Sequence, residues 1–356
     1  MGYDRRVTID DTPRPALSQR PSIRDVAARA GVSVSTVSRI LNGSYPPAPR
    51  TRDKVMRAVE ELDYVANPHA RALTGSKSAT IGIVVRQLDD GFLLSVVQAI
   101  AAAVDEAGKL SLIGTTGNDR ELEVLRQMHA QHVQAIVLVG AVVESDDYHR
   151  SMSAFLSSVQ ASGTRLVLCA RPPLGAGAEC PVVEYDNEGG AYAATSHLIS
   201  RGHRRILLLG GPEGSSFTVR RREGYRKAMA DLGVERDPAL EVGSAWSRET
   251  ARAVMHRVLA AGGPSFTAVL AHTDQVAAGV IQSLRERGLS VPEDISIVGF
   301  DDSPLAADLR LTSVHIPSVE LGRTAAHLAL EAEPVEPHAM FATHVVVRES
   351  VAPPRA

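Results

Sequence analysis

From Thr80 onward the chain alternates short apolar runs with longer amphipathic stretches. The runs are IGIVV, LSLIG, AIVLVG, RLVLCA, RILLLGG, AVLAH and ISIVGF, all rich in Ile, Val and Leu. Such runs, without internal alternation, predict strands buried on both faces. Between them lie LLSVVQAIAAAVDEAG, DRELEVLRQMHAQHV, NEGGAYAATSHLISRGH, RREGYRKAMADLGV, ETARAVMHRVLAAGG and DQVAAGVIQSLRERG, which read as helices. Buried strands alternating with helices predict α/β architecture, with parallel sheets covered on both faces. There are too many units for one compact sheet. Two doubly wound lobes are expected, with a ligand in the crevice at the carboxyl ends of the strands.

The pattern before Thr80 is different. In SIRDVAARAGVSVSTVSRILNG, residues 22–43, Ser22 and Asp25 make an acidic capping box, and Ile23, Val26, Ala27 and Ala30 share one helical face. Gly31 suits a left-handed C-cap. Ser33 starts a second helix with Val37, Ile40 and Leu41 inward, and Asn42-Gly43 stops it. A third helix follows from about Thr51, with Val55, Val59 and Leu62 inward. Three short helices with a tight first turn predict a helix-turn-helix domain whose second helix enters a major groove. That helix exposes Val34, Ser35, Thr36, Ser38, Arg39 and Asn42. Short hydroxyls reach phosphates, arginine takes guanine's two acceptors, and Val34 can meet a thymine methyl. A three-helix protein-docking module would show the same pattern, so periodicity alone leaves both open.

Charge shifts the balance. Ten Lys or Arg stand against five Asp or Glu between Arg20 and Lys77, a surplus of +5, and against a whole-chain charge of −3 this leaves −8 for the rest. A small basic module joined to a large acidic one fits phosphate neutralisation by the former. The 356-residue length predicts two or three domains. No apolar run reaches the roughly 18 residues of a membrane helix, and residues 1–20 lack the apolar core of a signal peptide. They read as a flexible tail, and the protein is expected to be cytoplasmic. Cys169 ends an apolar run and reads as a core thiol. It and Cys180 have no histidine cluster beside them, so no metal and no cofactor is expected. No Gly-x-Ser-x-Gly, P-loop or metal spacing appears, and an enzyme is not expected.

The stretches RDVAARAGVSVSTVSRILNG and TRDKVMRAVEELDYVANPHARAL resemble the three helices, and the segment after the third, of the lactose-repressor (LacI/GalR) family of bacterial transcriptional regulators. YDNEGGAYAATSHLISRGHRRILLLGG, REGYRKAM, VPEDISIVGFDDSPLA and LTSVHIPSVELGRTAA extend the resemblance over about residues 20 to 350. It implies a helix-turn-helix domain at 21–66, a hinge at 67–78, and an effector and dimerisation domain at 79–356. That domain would resemble periplasmic sugar-binding proteins, its chain crossing between lobes near 183, 317 and 340. The resemblance implies base contacts from Val34, Ser35 and Arg39, with phosphate or positioning contacts from Ser22, Thr36, Ser38, Asn42 and Tyr64.

The segment NPHARALTGSKS, residues 67–78, reads as a linker by composition. The resemblance implies a hinge helix that starts at Asn67, pairs closely across a dimer axis at Ala70, and wedges Leu73 into the minor groove. An apolar wedge unstacks a base step and bends DNA. A helix this short is unstable alone in water, so it is expected to form only on DNA.

Residues near the predicted strand ends suit a polar, ring-shaped ligand. Trp246 offers a flat face, with a core Trp as the other reading. Arg221 could fork across hydroxyls, and Asp301 could accept hydroxyl protons or cap a helix. Thr273 and Asp274 follow AVLAH, and Phe92 follows the first strand. The resemblance implies effector contacts from Arg221, Trp246 and Asp301, with Phe92 and Phe217 as walls. Two positions depart from the family pattern: Thr273 replaces its usual asparagine and Ala170 its usual aspartate, so the usual sugar contacts do not transfer whole. The expectation is a repressor on a pseudo-palindromic double-stranded operator, controlled by a sugar or sugar-derived effector. An activator, or a non-sugar corepressor such as a nucleobase, would use the same architecture. A transport binding protein would need a secretion signal and no basic head. No heptad tail follows the last predicted strand, and a homodimer is expected.

Overall fold

The computed structural model describes residues 21–41, 48–64 and 80–355, apart from 90, 118–119, 176, 244–246, 261–264 and 332–337. Two compact units divide at residues 78 and 79. The smaller holds helices α1 (Ile23–Ala30), α2 (Val34–Leu41) and α3 (Pro49–Glu61). The Asp25 carboxylate accepts from the Ser22 N–H and hydroxyl, both at 2.7 Å, which fixes the start of α1. Gly31 closes α1 at φ 67°, a left-handed conformation open to glycine without a Cβ penalty. The Ser33 hydroxyl accepts the Thr36 N–H at 3.1 Å and starts α2. The helices meet through Val26, Val37 and Val55, all fully buried. Each valine contributes about 2 kcal/mol by leaving water. The third helix begins two residues before Thr51, because Pro49 pre-sets φ at its first turn.

The larger unit has two six-stranded sheets. The first contains β1 (Thr80–Val85), β2 (Leu110–Thr115), β3 (Ala135–Val139), β4 (Arg165–Cys169), β5 (Val182–Tyr185) and β11 (His338–Phe341), in the order β11-β5-β4-β3-β1-β2 and all parallel. Its helices are α4 (Gly91–Glu106), α5 (Glu121–Ala130), α6 (Asp146–Ala161) and α12 (Ser318–Leu330). The second sheet contains β6 (Ile206–Gly210), β7 (Glu241–Gly243), β8 (Ala268–Ala271), β9 (Ser296–Asp301), β10 (Thr312–His315) and β12 (His344–Val346), ordered β12-β10-β9-β8-β6-β7. Only β12 runs antiparallel, against β10. Helices α7 (Asn187–Ser200), α8 (Ser216–Asp231), α9 (Arg248–Ala260), α10 (Asp274–Glu286) and α11 (Pro304–Asp308) belong with it. The chain passes between the sheets after Tyr185, at residues 316–317 and at residues 342–343.

The two-lobed α/β expectation holds, with two corrections. LSLIG forms β2, but not a buried strand: Leu110 is 68% and Ile113 44% exposed. It is an edge strand bonded to β1 alone, so its apolar residues lack a second layer. Helix α6 is not among the helices that the apolar pattern predicts, because DDYHRSMSAFLSSVQA dilutes its stripe with serines. Its buried residues Met152, Phe155, Leu156 and Val159 nonetheless fall at helical spacing. Close packing of α7 on α8 sets the cleft's floor. A Cβ at Gly224 would collide with the Glu188 carbonyl oxygen, so glycine there lets α8 approach α7 and brings Arg221 beside Asn187.

Candidate functional site

The cleft lies at the carboxyl ends of both sheets, as the topology of doubly wound folds requires. Its second-lobe floor is built around Arg221, on the second turn of α8 and 3% exposed. Its Nε donates to Asn187 Oδ1 at 2.9 Å, Nη2 to the Tyr185 hydroxyl at 3.1 Å, and Nη1 to the His272 carbonyl. The guanidinium carbon sits 3.6 Å from the Phe300 ring centroid, a stacked cation–π contact. Asp301 approaches Nη2 at 3.7 Å, longer than a hydrogen bond. Asp301 ends β9 at φ 108°, a left-handed region that costs a non-glycine residue about 1–3 kcal/mol. It does not cap the following helix; Ser303 holds that position.

Beside this pair, Asp274 is buried. It accepts from the Ser303 N–H and hydroxyl at 2.8 Å and from the Ser313 hydroxyl at 2.6 Å. Burial pushes its carboxyl up to about 6, against the lowering effect of those donors. Burial, with the neighbouring guanidinium, holds the His272 imidazole well below its ordinary value, so it is neutral. The Thr273 hydroxyl accepts the Val276 N–H at 3.2 Å as the N-cap of α10. Ser215 and Thr218 are buried, and their hydroxyl oxygens have no hydrogen-bond partner within the protein.

The first-lobe wall centres on a second buried arginine, Arg171, also 3% exposed. It follows Ala170, which lies just past β4 at φ 54° and brings no polar group. All of its donors are engaged. Nη1 and Nη2 reach the two Glu121 oxygens at 2.8 and 2.9 Å. Nη1 also donates to the Tyr148 hydroxyl at 3.0 Å, Nε to the Gly140 carbonyl at 2.8 Å, and Nη2 to the Ala141 carbonyl at 3.2 Å. Glu121 opens α5 and Tyr148 lies on the first turn of α6.

The lobes touch at the rim. The Ser216 N–H donates to the Val142 carbonyl at 2.8 Å, and the Val142 N–H donates to the Ser216 hydroxyl at 3.2 Å. On the first-lobe side lies a cavity of about 500 Å³ bordered by Glu121, Tyr148, Val142, Ser215 and Phe217. A smaller cavity of about 160 Å³ is bordered by Arg171, Glu184, Tyr185, Asn187 and Phe217. Phe92, Tyr185 and Phe217 pack edge-on or tilted, with centroids 5.3–6.5 Å apart.

Of the residues singled out in the sequence, Phe217 lines both cavities, whereas Phe92 is buried behind them. Arg221 and Asp301 come together, but just behind the lining, covered by Tyr185 and Asn187. Trp246 lies outside the described residues. Sequence reasoning missed Tyr185, Asn187, Arg171, Glu121 and Tyr148; the signal for Tyr185 and Asn187 was YDNEGG, a stretch within the family likeness. On the head, Val34, Ser35 and Arg39 are exposed along α2, Thr36 and Ser38 are half-buried, and Tyr64 packs on the helical core. The Ser33 hydroxyl lies 2.8 Å from those of Ser35 and Thr36, and Ser22 stays at the start of α1. Asn42, Asn67, Ala70 and Leu73 lie outside the described residues. Among the described residues no helix is long and apolar enough to cross a membrane, and no cluster of three or more His, Cys, Asp or Glu could hold a metal ion.

Residues 22–67 match the family described as bacterial regulatory proteins, lacI family, and residues 195–351 match a periplasmic binding protein-like domain. The HTH-type transcriptional regulator CelR of Thermobifida fusca is 35% identical over 345 residues, 93% of this chain and 98% of CelR. The HTH-type transcriptional regulator GalR of Escherichia coli K12 is 32% identical, over 94% of this chain and 96% of GalR. These relatives are regulators, not enzymes. A CelR–cellobiose complex superposes with a TM-score of 0.67 at 33% identity, covering 93% of this chain and all of that one. The lac repressor dimer bound to operator and the anti-inducer ONPF superposes at 0.80 with 24% identity, covering 94% of this chain and all of that one, a likeness of fold. With a helix-turn-helix head, two parallel-sheet lobes and full-length relatives of this kind, the chain belongs to the lacI family of bacterial regulatory proteins and is a DNA-binding transcriptional regulator.

Proposed function

We propose that this regulator is a homodimeric repressor of a pseudo-palindromic operator, released by a sugar or sugar derivative held between its lobes. On the head, Val34, Ser35 and Arg39 read base edges, while Ser22, Thr36, Ser38, Asn42 and Tyr64 position the helix on the phosphates. Asn67, Ala70 and Leu73 act in a hinge that forms on DNA, with Leu73 as the minor-groove wedge. In the cleft, Arg221 and Asp301 are the principal polar contacts. Trp246 and Phe217 face the ring, with Phe92 behind, and Thr273 gives its hydroxyl proton. The observation that carries this reading is the Arg221–Asp301 pair, stretched to 3.7 Å behind the cleft. Ligand hydroxyls can bridge that pair and take over from Tyr185 and Asn187 as partners of the guanidinium. Coupling to DNA is reciprocal: a ligand that weakens operator binding is itself weakened by operator to the same factor.

The test is a melting-temperature screen against cellobiose, galactose, ribose and nucleosides, repeated with operator DNA. A sugar that raises the melting temperature alone, and is bound less tightly when operator is present, is the expected outcome. Stabilisation only by nucleosides, or tighter sugar binding with operator, would replace the reading by a non-sugar effector or a corepressor.

A further inference from the structure

The first-lobe wall carries a polar assembly that the Arg221–Asp301 site does not use. Arg171 spends every donor on Glu121, Tyr148 and two carbonyls, so it has none left for a ligand. Its effect is to aim its partners. Each Glu121 oxygen accepts one hydrogen bond from it and keeps lone pairs for more. The Tyr148 hydroxyl accepts from Nη1 and keeps its own proton to donate. Burial pushes that phenol's pKa up, so it stays protonated at neutral pH. Glu121 and Tyr148 both border the larger cavity, and the Glu121 side chain is 26% exposed. Across the same cavity stands Ser215 of the second lobe, 3% exposed, with its hydroxyl oxygen lacking a protein partner.

We propose that Glu121 and Tyr148, clamped by Arg171, form a hydroxyl-recognising subsite on the first lobe, with Ser215 completing it from the second. An acceptor and a donor on one guanidinium nitrogen match a single ligand hydroxyl, which gives its proton to Glu121 and accepts from Tyr148. The guanidinium cancels the carboxylate's charge, so the subsite selects a neutral hydroxyl over a phosphorylated or ammonium group. A hydroxyl bonded here and to Ser215 ties the lobes together, so this subsite reports ligand identity to the lobe geometry. Arg171 is a positioning residue; Glu121 and Tyr148 are the specificity-determining ones. The inference rests on the proposal that the effector is a sugar.

The experiment is calorimetric titration of the wild type with cellobiose, galactose and ribose, then of Glu121→Gln and Tyr148→Phe with the sugar bound. The same proteins are titrated with each monodeoxy analogue of that sugar. Both variants should bind the parent sugar about tenfold more weakly, the scale of a lost charged hydrogen bond. One monodeoxy analogue should lose no further affinity in either variant, because the hydroxyl it lacks is the one bracketed. Unchanged affinity in both variants would overturn the subsite and leave the sugar reading intact. Equal weakening of every analogue would also overturn it, by showing that the residues only hold the wall. If the wild type bound none of the three sugars, the sugar reading would fall first, and the subsite with it. Tyr148→Phe preserves the ion pair, so its titration decides the matter even if Glu121→Gln does not fold.

Discussion

Each lobe of the cleft buries one arginine against one carboxylate, and the two pairs are made differently. In the first lobe Arg171 holds Glu121 through two short, parallel hydrogen bonds, and every donor is satisfied. In the second lobe Arg221 stands 3.7 Å from Asp301, whose backbone is strained. Nearby Asp274 is buried with hydroxyl and amide donors around it. The first wall is a finished assembly that a ligand can lean on. The second holds strain and partly compensated charge, which a ligand can relieve. Strain of this kind at a cleft is where a small molecule exerts the most leverage on conformation.

Removing the cation from the finished pair should have the largest effect. Arg171→Met leaves Glu121 and Tyr148 without their common partner, and should cost about 3–5 kcal/mol of unfolding free energy in a urea titration. A cost under about 1 kcal/mol would show that the first wall is as loose as the second.

The next effect concerns Asp274. Its folded-state pKa, about 6, lies above its ordinary value of 3.8, with burial the main cause. The folded state therefore holds this proton more tightly than the unfolded one. The group's contribution to stability is most favourable below pH 4, declines as pH rises through about 6, and is constant above. The wild type should lose on the order of 3 kcal/mol relative to Asp274→Asn between pH 4 and 7. Parallel stability–pH curves for the two proteins would show that the donors around Asp274 outweigh its burial.

The smallest effect on stability sharpens the contrast most. Asp301→Asn should change unfolding free energy by less than about 1 kcal/mol, because asparagine tolerates positive φ and is nearly isosteric with the carboxylate that stands 3.7 Å from Arg221. It should nevertheless weaken effector binding about tenfold or more, with operator affinity in the absence of effector unchanged. Loss of operator binding in this variant would make Asp301 a structural residue. On the head, Arg39→Ala should cost about 1–3 kcal/mol of discrimination between operator and mismatched sites. Equal affinity loss on all DNA would assign Arg39 to phosphate instead.

Much of the architecture was legible because local chemistry dictates it. Ser22, Gly31 and Ser33 punctuate the head helices by hydrogen bonds and backbone conformations that span a few residues. Runs such as AIVLVG and RILLLGG have few alternatives to a buried strand. Legibility failed where neighbours distant in sequence decide the outcome. LSLIG reads like the other strands, and only its place at the sheet edge exposes it. Arg171 and Glu121 are fifty residues apart, and neither stands in a pattern that points to the other. Asn187 and Tyr185 lie in YDNEGG, but their contact with Arg221 follows only from the packing of α7 on α8 through Gly224.

The sequence by itself determined the element order, the basic head with its reading helix, and the two-lobed α/β class, because capping, periodicity and apolar runs act over a turn or a strand. Tertiary structure alone decided which charges meet in the cleft: that Arg171 is spent on Glu121 and Tyr148, and that Arg221 lies covered beside a strained Asp301. Those pairings depend on how the helices pack against the sheet within each lobe and on helix contact distances. No local preference encodes them, because a side chain's partners are set by where the whole chain brings its backbone.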